Sequence, residues 1–194
     1  PEEFNLYNPK VLSQYKPELC SRQEYQRRNQ ASPLRSTLLK VRDWWKHIDD
    51  LPWEFKNQLE LKAGINIATR RIASCNEQIE ALMRTKAQQG EFAVKRWEAT
   101  RELTIAQLLA VRFLLHQYIY TLEQFLMRSS PKDFSTRFVI KKGKIIPNVA
   151  ETERQLAIQQ IKKVISTYKG TPWALAASKM LDLWGFYLTK HKKN

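Results

Sequence analysis

The sequence predicts an all-α protein: an antiparallel helical bundle centred on a long, coiled-coil-like helical hairpin, with a small β-hairpin and a carboxy-terminal helix pair. Three observations predict it. Between Trp53 and Ala87, the residues Leu61, Ile65, Ala68, Ile72, Cys75, Ile79 and Leu82 follow an unbroken 4-3-4-3-4-3 spacing, which places them on one seam of a helix. Between Glu91 and Arg128, the residues Leu108, Val111, Leu115, Tyr118, Leu122 and Phe125 repeat that spacing. Only Gln88–Gln89–Gly90 separates the two stretches. So short a connection returns the chain antiparallel, with the two seams facing each other.

Residues 1–32 read as an extended lead-in with one short helix, because Pro9 and Pro17 interrupt it and Ser21–Gln30 is almost wholly polar. It is expected to wrap the bundle surface. Residues 33–130 are the bundle. Ser32 supplies an N-cap and Pro33 a first-turn proline, and Leu34, Leu38, Val41, Trp45 and Ile48 then recur at helical spacing up to Asp49–Asp50. Leu51–Pro52–Trp53 starts the first long helix by the same proline logic. Gly64 lies within it at a cost of about 1 kcal/mol relative to alanine, which marks a place of close packing. The second long helix is apolar on nearly every side from Ile105 to Met127, so it needs neighbours all round and is expected at the centre. Ser129–Ser130–Pro131 closes it.

In residues 131–148, Phe134–Ile140 and Lys144–Pro147 flank Lys142–Gly143 in a hairpin-like pattern, read as a two-stranded ribbon leaning on the helices. Residues 149–194 read as the helix pair Glu151–Tyr168 and Pro172–Lys190. At their junction Gly170 ends one helix, Thr171 caps the next and Pro172 takes its first position. Across the pair, Ala157, Ile161, Val164 and Tyr168 face Trp173, Ala177, Met180, Leu181, Trp184 and Leu188. Together the four segments make one compact domain.

Composition bounds the rest. With 194 residues, 27% charged and 43% hydrophobic, the chain is long enough to bury roughly 70% of its unfolded surface without staples, and wholesale disorder is excluded. The apolar window Ile105–Met127 carries Arg112, His116, Glu123 and three glutamines, too costly a load for a membrane span, and no signal-like stretch opens the chain. A soluble protein is expected, with the cytoplasm slightly favoured. The first residue is Pro1 rather than Met, which points to a processed product or a segment of a larger protein. Cys20 and Cys75 show no metal or redox spacing, although a bond between them stays open; Cys75, on the apolar seam, reads as a packing residue.

No enzyme is predicted, and no cofactor or metal site. His47, His116 and His191 stand apart without a ligand spacing, and the five glycines are isolated, which leaves no P-loop and no dinucleotide fingerprint. The pairs Glu77/Glu80 and Glu98/Glu102 lack the histidine that a di-metal bundle site places three residues on, so they read as solvated faces beside arginines such as Arg84 and Arg101. Trp53, Trp97, Trp173 and Trp184 read as core. Trp44, adjacent to Trp45 and so pointing elsewhere, is the candidate aromatic contact for a partner.

Charge gives the one functional signal. The net charge is +14, and residues 131–194 hold thirteen basic and four acidic side chains, against nine and seven in 1–52 and eleven and eight in 53–130. Lys141, Lys142 and Lys144 cluster on the ribbon, Lys162 and Lys163 on a helix, and Lys190, Lys192 and Lys193 in the tail. If they converge, they form a surface for an acidic protein, acidic lipid or nucleic acid. Interleaved aromatics that would stack bases are missing from the cluster, so nucleic acid ranks below an acidic surface, and both rank below plain solvated lysines on a polar face.

The run Tyr168–Lys169–Gly170–Thr171–Pro172–Trp173–Ala174–Leu175–Ala176–Ala177 resembles the second half of a tetratricopeptide-type hairpin. With Trp184–Gly185–Phe186 it is also similar to a YPGTPWA element of carboxy-terminal helical regions in large bacterial proteins, some with a von Willebrand factor A-type domain upstream. The resemblance covers Ala150 to Thr189 and lacks the early Trp–Leu–Gly–Tyr signature of tetratricopeptide repeats. It implies a scaffold or interaction role, and no binding residue carries over from it. The expected function is therefore a non-enzymatic structural or protein-interaction module, part of a larger protein or assembly; the alternative is a basic nucleic-acid-binding protein.

Overall fold

The computed structural model describes residues 8–15, 18–46, 51–86, 94–129 and 137–190. It is mostly helical, with one small three-stranded antiparallel sheet. Helices α1 (Pro9–Leu12), α2 (Arg22–Ala31) and α3 (Pro33–Trp45) precede the short strand β1 (Glu54–Phe55). The long helices α4 (Gln58–Arg84) and α5 (Val94–Arg128) follow, then strand β2 (Phe138–Gly143), helices α6 (Glu151–Thr167) and α7 (Pro172–Ser178), and strand β3 (Gly185–Lys190).

Helix α5, about 52 Å long at the α-helical rise, is the axis of the molecule. Its seam residues Leu108, Leu115, Tyr118 and Leu122 are buried together with Leu61, Ala68, Cys75, Ile79 and Leu82 of α4. Polar contacts give the direction. Arg101 donates to the Thr85 carbonyl at 2.9 Å and Arg112 to Asn76 at 2.8 Å, while Tyr118 and Leu122 press on Gly64, so the two helices run antiparallel. On another side of α5, Lys163 and Gln160 meet Glu102 while Gln117 holds the Val149 carbonyl, so α6 also runs antiparallel to it. A second apolar cluster, Ala106 with Ile161, Val164 and Ala177, fills that interface.

The lead-in holds more helix than its composition predicts. The polar run becomes α2, N-capped by Ser21 and laced by Glu24 to Arg27 and Arg28 at 2.8 and 2.7 Å. Charge pairs at helical spacing thus supply what apolar periodicity does not. The segment does lie on the bundle: the Asn8 N–H donates to the Gly170 carbonyl at 3.1 Å, and the Tyr15 ring packs 5.1 Å from that of Trp173.

Among the described residues, several elements differ from the sequence reading. The first long helix begins at Gln58, because Asn57 caps the Glu60 N–H at 2.9 Å while the Glu60 carboxylate takes the Lys56 N–H at 2.7 Å. Trp53–Phe55, left in extended backbone, joins the sheet through the Trp53 carbonyl, which accepts from the Ile140 N–H at 2.9 Å. The expected β-hairpin is absent: Lys142–Gly143 does not turn, and Phe138–Gly143 is one strand between β1 and β3. The last helix stops at Ser178, twelve residues before Lys190, in tight turns from the Ala177 and Ser178 carbonyls to the N–H groups of Met180 and Leu181. Beyond it, Gly185–Lys190 alternates a buried Phe186 with a half-exposed Tyr187, the period of a strand, so the carboxy-terminal helix pair is a helix, a short helix and a strand. The expected α4–α5 turn at 88–90, the helix end at Asp49–Asp50 and the ribbon start at Phe134 lie outside the described residues.

Thr171 caps α7 as its sequence requires, with Pro172 in the first turn and Gly170 at φ +76° just before it. Among the described residues, no helix is long and apolar enough to cross a membrane.

Candidate functional site

Among the described residues, Lys141, Lys142 and Lys144 do not gather on one surface with Lys162 and Lys163. Lys141 and Lys142 are exposed on β2, and the Lys142 ammonium sits 3.9 Å from the centre of the Trp184 ring, a cation–π contact. Lys144 is exposed just beyond the strand, its backbone beside Gln117. Lys162 is exposed on α6, whereas its neighbour Lys163 donates to the Glu102 carboxylate at 2.7 Å. Glu102 and Gln117 are fifteen residues apart on one helix, so the two lysine groups stand about 22 Å apart along α5. Lys190 ends β3, and Lys192 and Lys193 lie outside the described residues.

Trp44 is not a free surface aromatic. It is half-buried against the main core and meets Trp45 edge-on at 5.9 Å. Trp45 is the one that faces a large cleft.

That cleft, of about 870 Å³, opens between α2 and α3 on one side and the first half of α5 on the other. Leu38, Leu39, Val41, Trp45 and Trp97 form its apolar lining, and Tyr25 stands at one wall. Arg42, Lys46 and Arg96 bring positive charge to it. On its α5 wall the hydroxyls of Thr100 and Thr104 are satisfied within the fold, while the Trp97 indole N–H is buried without a hydrogen-bond partner among the described residues. Thr100 donates to the Arg96 carbonyl at 2.9 Å and accepts from the Trp173 indole at 3.1 Å, and Thr104 donates to the Thr100 carbonyl at 2.7 Å.

One wall rests on a buried ion pair. The side chains of Arg35 and Glu18 are 1% and 4% exposed; Arg35 Nη1 donates to Glu18 Oε2 at 2.9 Å, and Nη2 lies 2.7 Å from Oε1. The second contact is off the hydrogen-bond direction, so charge attraction holds that oxygen. Arg35 also lies 4.9 Å from the centre of the Trp97 ring, pinning the aromatic that lines the cleft. Sequence reasoning missed the pair. Glu18 stands among the prolines of the lead-in and Arg35 on the first turn of a helix, and no spacing rule connects positions seventeen residues apart.

Other buried titratable groups are shifted by their surroundings. Burial would raise the Glu102 pKa, but hydrogen bonds from Lys163, Gln160 and Arg101 outweigh it and hold the carboxyl below its usual range. Glu102 is therefore a buried junction between α5 and α6, not the solvated face its spacing predicts. Burial pushes the Cys75 thiol up to about 12, and it is a free cysteine, as is Cys20. Burial also raises Tyr118, whose hydroxyl donates to the Pro52 carbonyl at 2.7 Å. Half-buried His116 is lowered, by burial first and by Arg112 second, against the pull of Glu153. His47 and His191 lie outside the described residues, among which no three His, Cys, Asp or Glu side chains are grouped to hold a metal ion.

No protein-family model, curated protein or solved structure matches this chain.

Proposed function

We propose that this chain is a non-enzymatic interaction module, a segment of a larger protein or assembly, and that the cleft beside α3 is where it holds its partner. The observation that carries the reading is the cleft itself: about 870 Å³, floored by aromatic and aliphatic side chains and edged with cations. An apolar centre inside a polar rim, with Trp, Tyr and Arg among its residues, is the composition of a protein-binding patch. The buried acids support the same reading, since Glu18 and Glu102 are each tied to basic partners that join segments of the fold. In this reading α4 and α5 form a coiled-coil-like hairpin, a stiff frame, and the Tyr168–Ala177 element belongs to a tetratricopeptide-like scaffold.

Nucleic acid is the competing partner. The separation of Lys141, Lys142 and Lys144 from Lys162 and Lys163 speaks against a single phosphate-tracking groove. A photo-crosslinking residue placed at Leu39, in the cleft, and another at Leu156, exposed on α6, test the reading in extract of the source cells. The Leu39 probe should capture one discrete polypeptide, lost on Trp45→Ala, and the Leu156 probe should not. Tight retention on one nucleic-acid sequence at physiological salt, abolished by charge reversal of Lys141, Lys142 and Lys144, would overturn it.

A further inference from the structure

We infer that the occupant of this cleft is an acidic, amphipathic polypeptide segment, whose apolar side chains seat on Leu38, Trp45 and Trp97 while its carboxylates meet the cations at the rim, Arg96 first. The inference rests on the docking role proposed above and adds the chemistry of the partner.

Charge complementarity selects the sign. Of the cations at the cleft, Lys46 and Arg42 share Asp43 at 2.9 and 3.8 Å, and the acid in the wall, Glu18, is buried against Arg35. The guanidinium of Arg96 is exposed and has no carboxylate in reach among the described residues. A partner carboxylate at Arg96 would form a new pair at the rim, where such charges steer association and set specificity.

The lining selects a polypeptide over a small molecule. Small-molecule sites converge several directional polar groups on one ligand. Here the hydroxyls of Thr100 and Thr104 are already bonded within the fold. What is left is apolar and aromatic surface edged by cations, with the Trp97 indole N–H as its one buried donor without a hydrogen-bond partner among the described residues, and such surface accepts the i, i+3, i+4, i+7 face of a segment folding into a groove. The anchors are also held in advance: Arg35 lies over Trp97 and Trp44 braces Trp45. Fixing them before binding removes part of the ordering cost at the moment of association.

The test uses the full chain and a fluorescein-labelled, end-capped peptide of about fourteen residues, with leucines at i, i+3, i+4 and i+7 and glutamates between them. Anisotropy should show saturable one-to-one binding, weakened roughly tenfold or more by Arg96→Glu and by Trp45→Ala, and little changed by Lys62→Glu on α4. Arg96 is exposed, so its variant should keep the wild-type circular dichroism and melting point, and a loss of binding then reports on the cleft. A peptide with serines for leucines and one with lysines for glutamates should both fail to bind. Equal binding of the serine peptide would reduce the contact to surface charge and overturn the inference. Self-association of the chain that is lost on Arg96→Glu would assign the cleft to a second copy and also overturn it. If no glutamate–leucine peptide binds while the Leu39 probe still captures a polypeptide, this inference fails and the docking role stands; if the probe also captures nothing, both fail.

Discussion

Arg35 and Glu18 hold the lead-in to α3 with two opposite charges almost wholly removed from water. Such a pair contributes little net stability, because desolvating both ions offsets their attraction, yet removing Arg35 leaves the buried Glu18 carboxylate with the longer, 3.8 Å contact of Arg28. Arg35→Ala should therefore cost about 3–5 kcal/mol, whereas replacing both with apolar residues of similar volume, Arg35→Met with Glu18→Leu, should be close to neutral. Urea midpoints of the three proteins decide it, and equal losses in the single and double variants would show that volume rather than charge matters there. Glu102 makes a different prediction. Its folded-state pKa is depressed, so its stabilising contribution is complete above the unfolded value of about 4.3 and is lost as pH falls through the folded value. Glu102→Gln should thus narrow the stability difference between about pH 7 and about pH 3, through this one group. An unchanged difference would mean that the Lys163 and Gln160 contacts persist with the acid protonated.

At the scale of elements, β2 and β3 meet at two glycines with unequal tolerance. A Cβ on Gly185 would collide with the Lys144 carbonyl and approach Ile145 Cα at 2.9 Å, both backbone, whereas one on Gly143 would crowd the Tyr187 ring at 2.7 Å and meet the Phe186 backbone at an ordinary 3.7 Å. Backbone cannot step aside and a half-exposed ring can. Gly185→Ala should cost about 1–3 kcal/mol and Gly143→Ala clearly less, read as the difference in melting temperature. These strands also mark the limit of what the sequence makes legible. The seams of α4 and α5 are visible because each side chain's burial follows from its neighbours three and four positions away. Lys142–Gly143 looks like a turn for the same local reason, and only the distant Gly185–Phe186, its partners in the ladder, keep it extended. Trp184–Lys190 fits an apolar helix face on paper, while its alternation of Phe186 and Tyr187 is satisfied only by a sheet. The cleft was out of reach altogether. It exists because α2 and α3 stand beside α5, an arrangement that depends on a buried ion pair without a periodic signature.

For the molecule as a whole, the excess charge should give weak adhesion to polyanions without sequence preference, about 10⁻⁴–10⁻⁶ M at physiological salt and tighter below it. Charge reversal at Lys141, Lys142 and Lys144 should weaken that adhesion and leave the glutamate–leucine peptide bound. Loss of both together, measured on a polyanion column and by anisotropy, would mean one shared surface. The sheet has a consequence in time as well as in space. Its three strands, Glu54–Phe55, Phe138–Gly143 and Gly185–Lys190, come from stretches separated by most of the chain, whereas α4 and α5 are neighbours in sequence. Pairing distant segments must meet a large loop-closure cost first, so the helices should be in place before the ladder closes. During synthesis, Phe138 and Ile140 of β2 would then wait on an uncovered strand edge until residue 190 has emerged, a window in which the young chain is open to aggregation or to a chaperone. Pulsed hydrogen exchange during refolding would show it as protection of α5 amides ahead of those in β2, and simultaneous protection would mean that helices and sheet assemble in a single step.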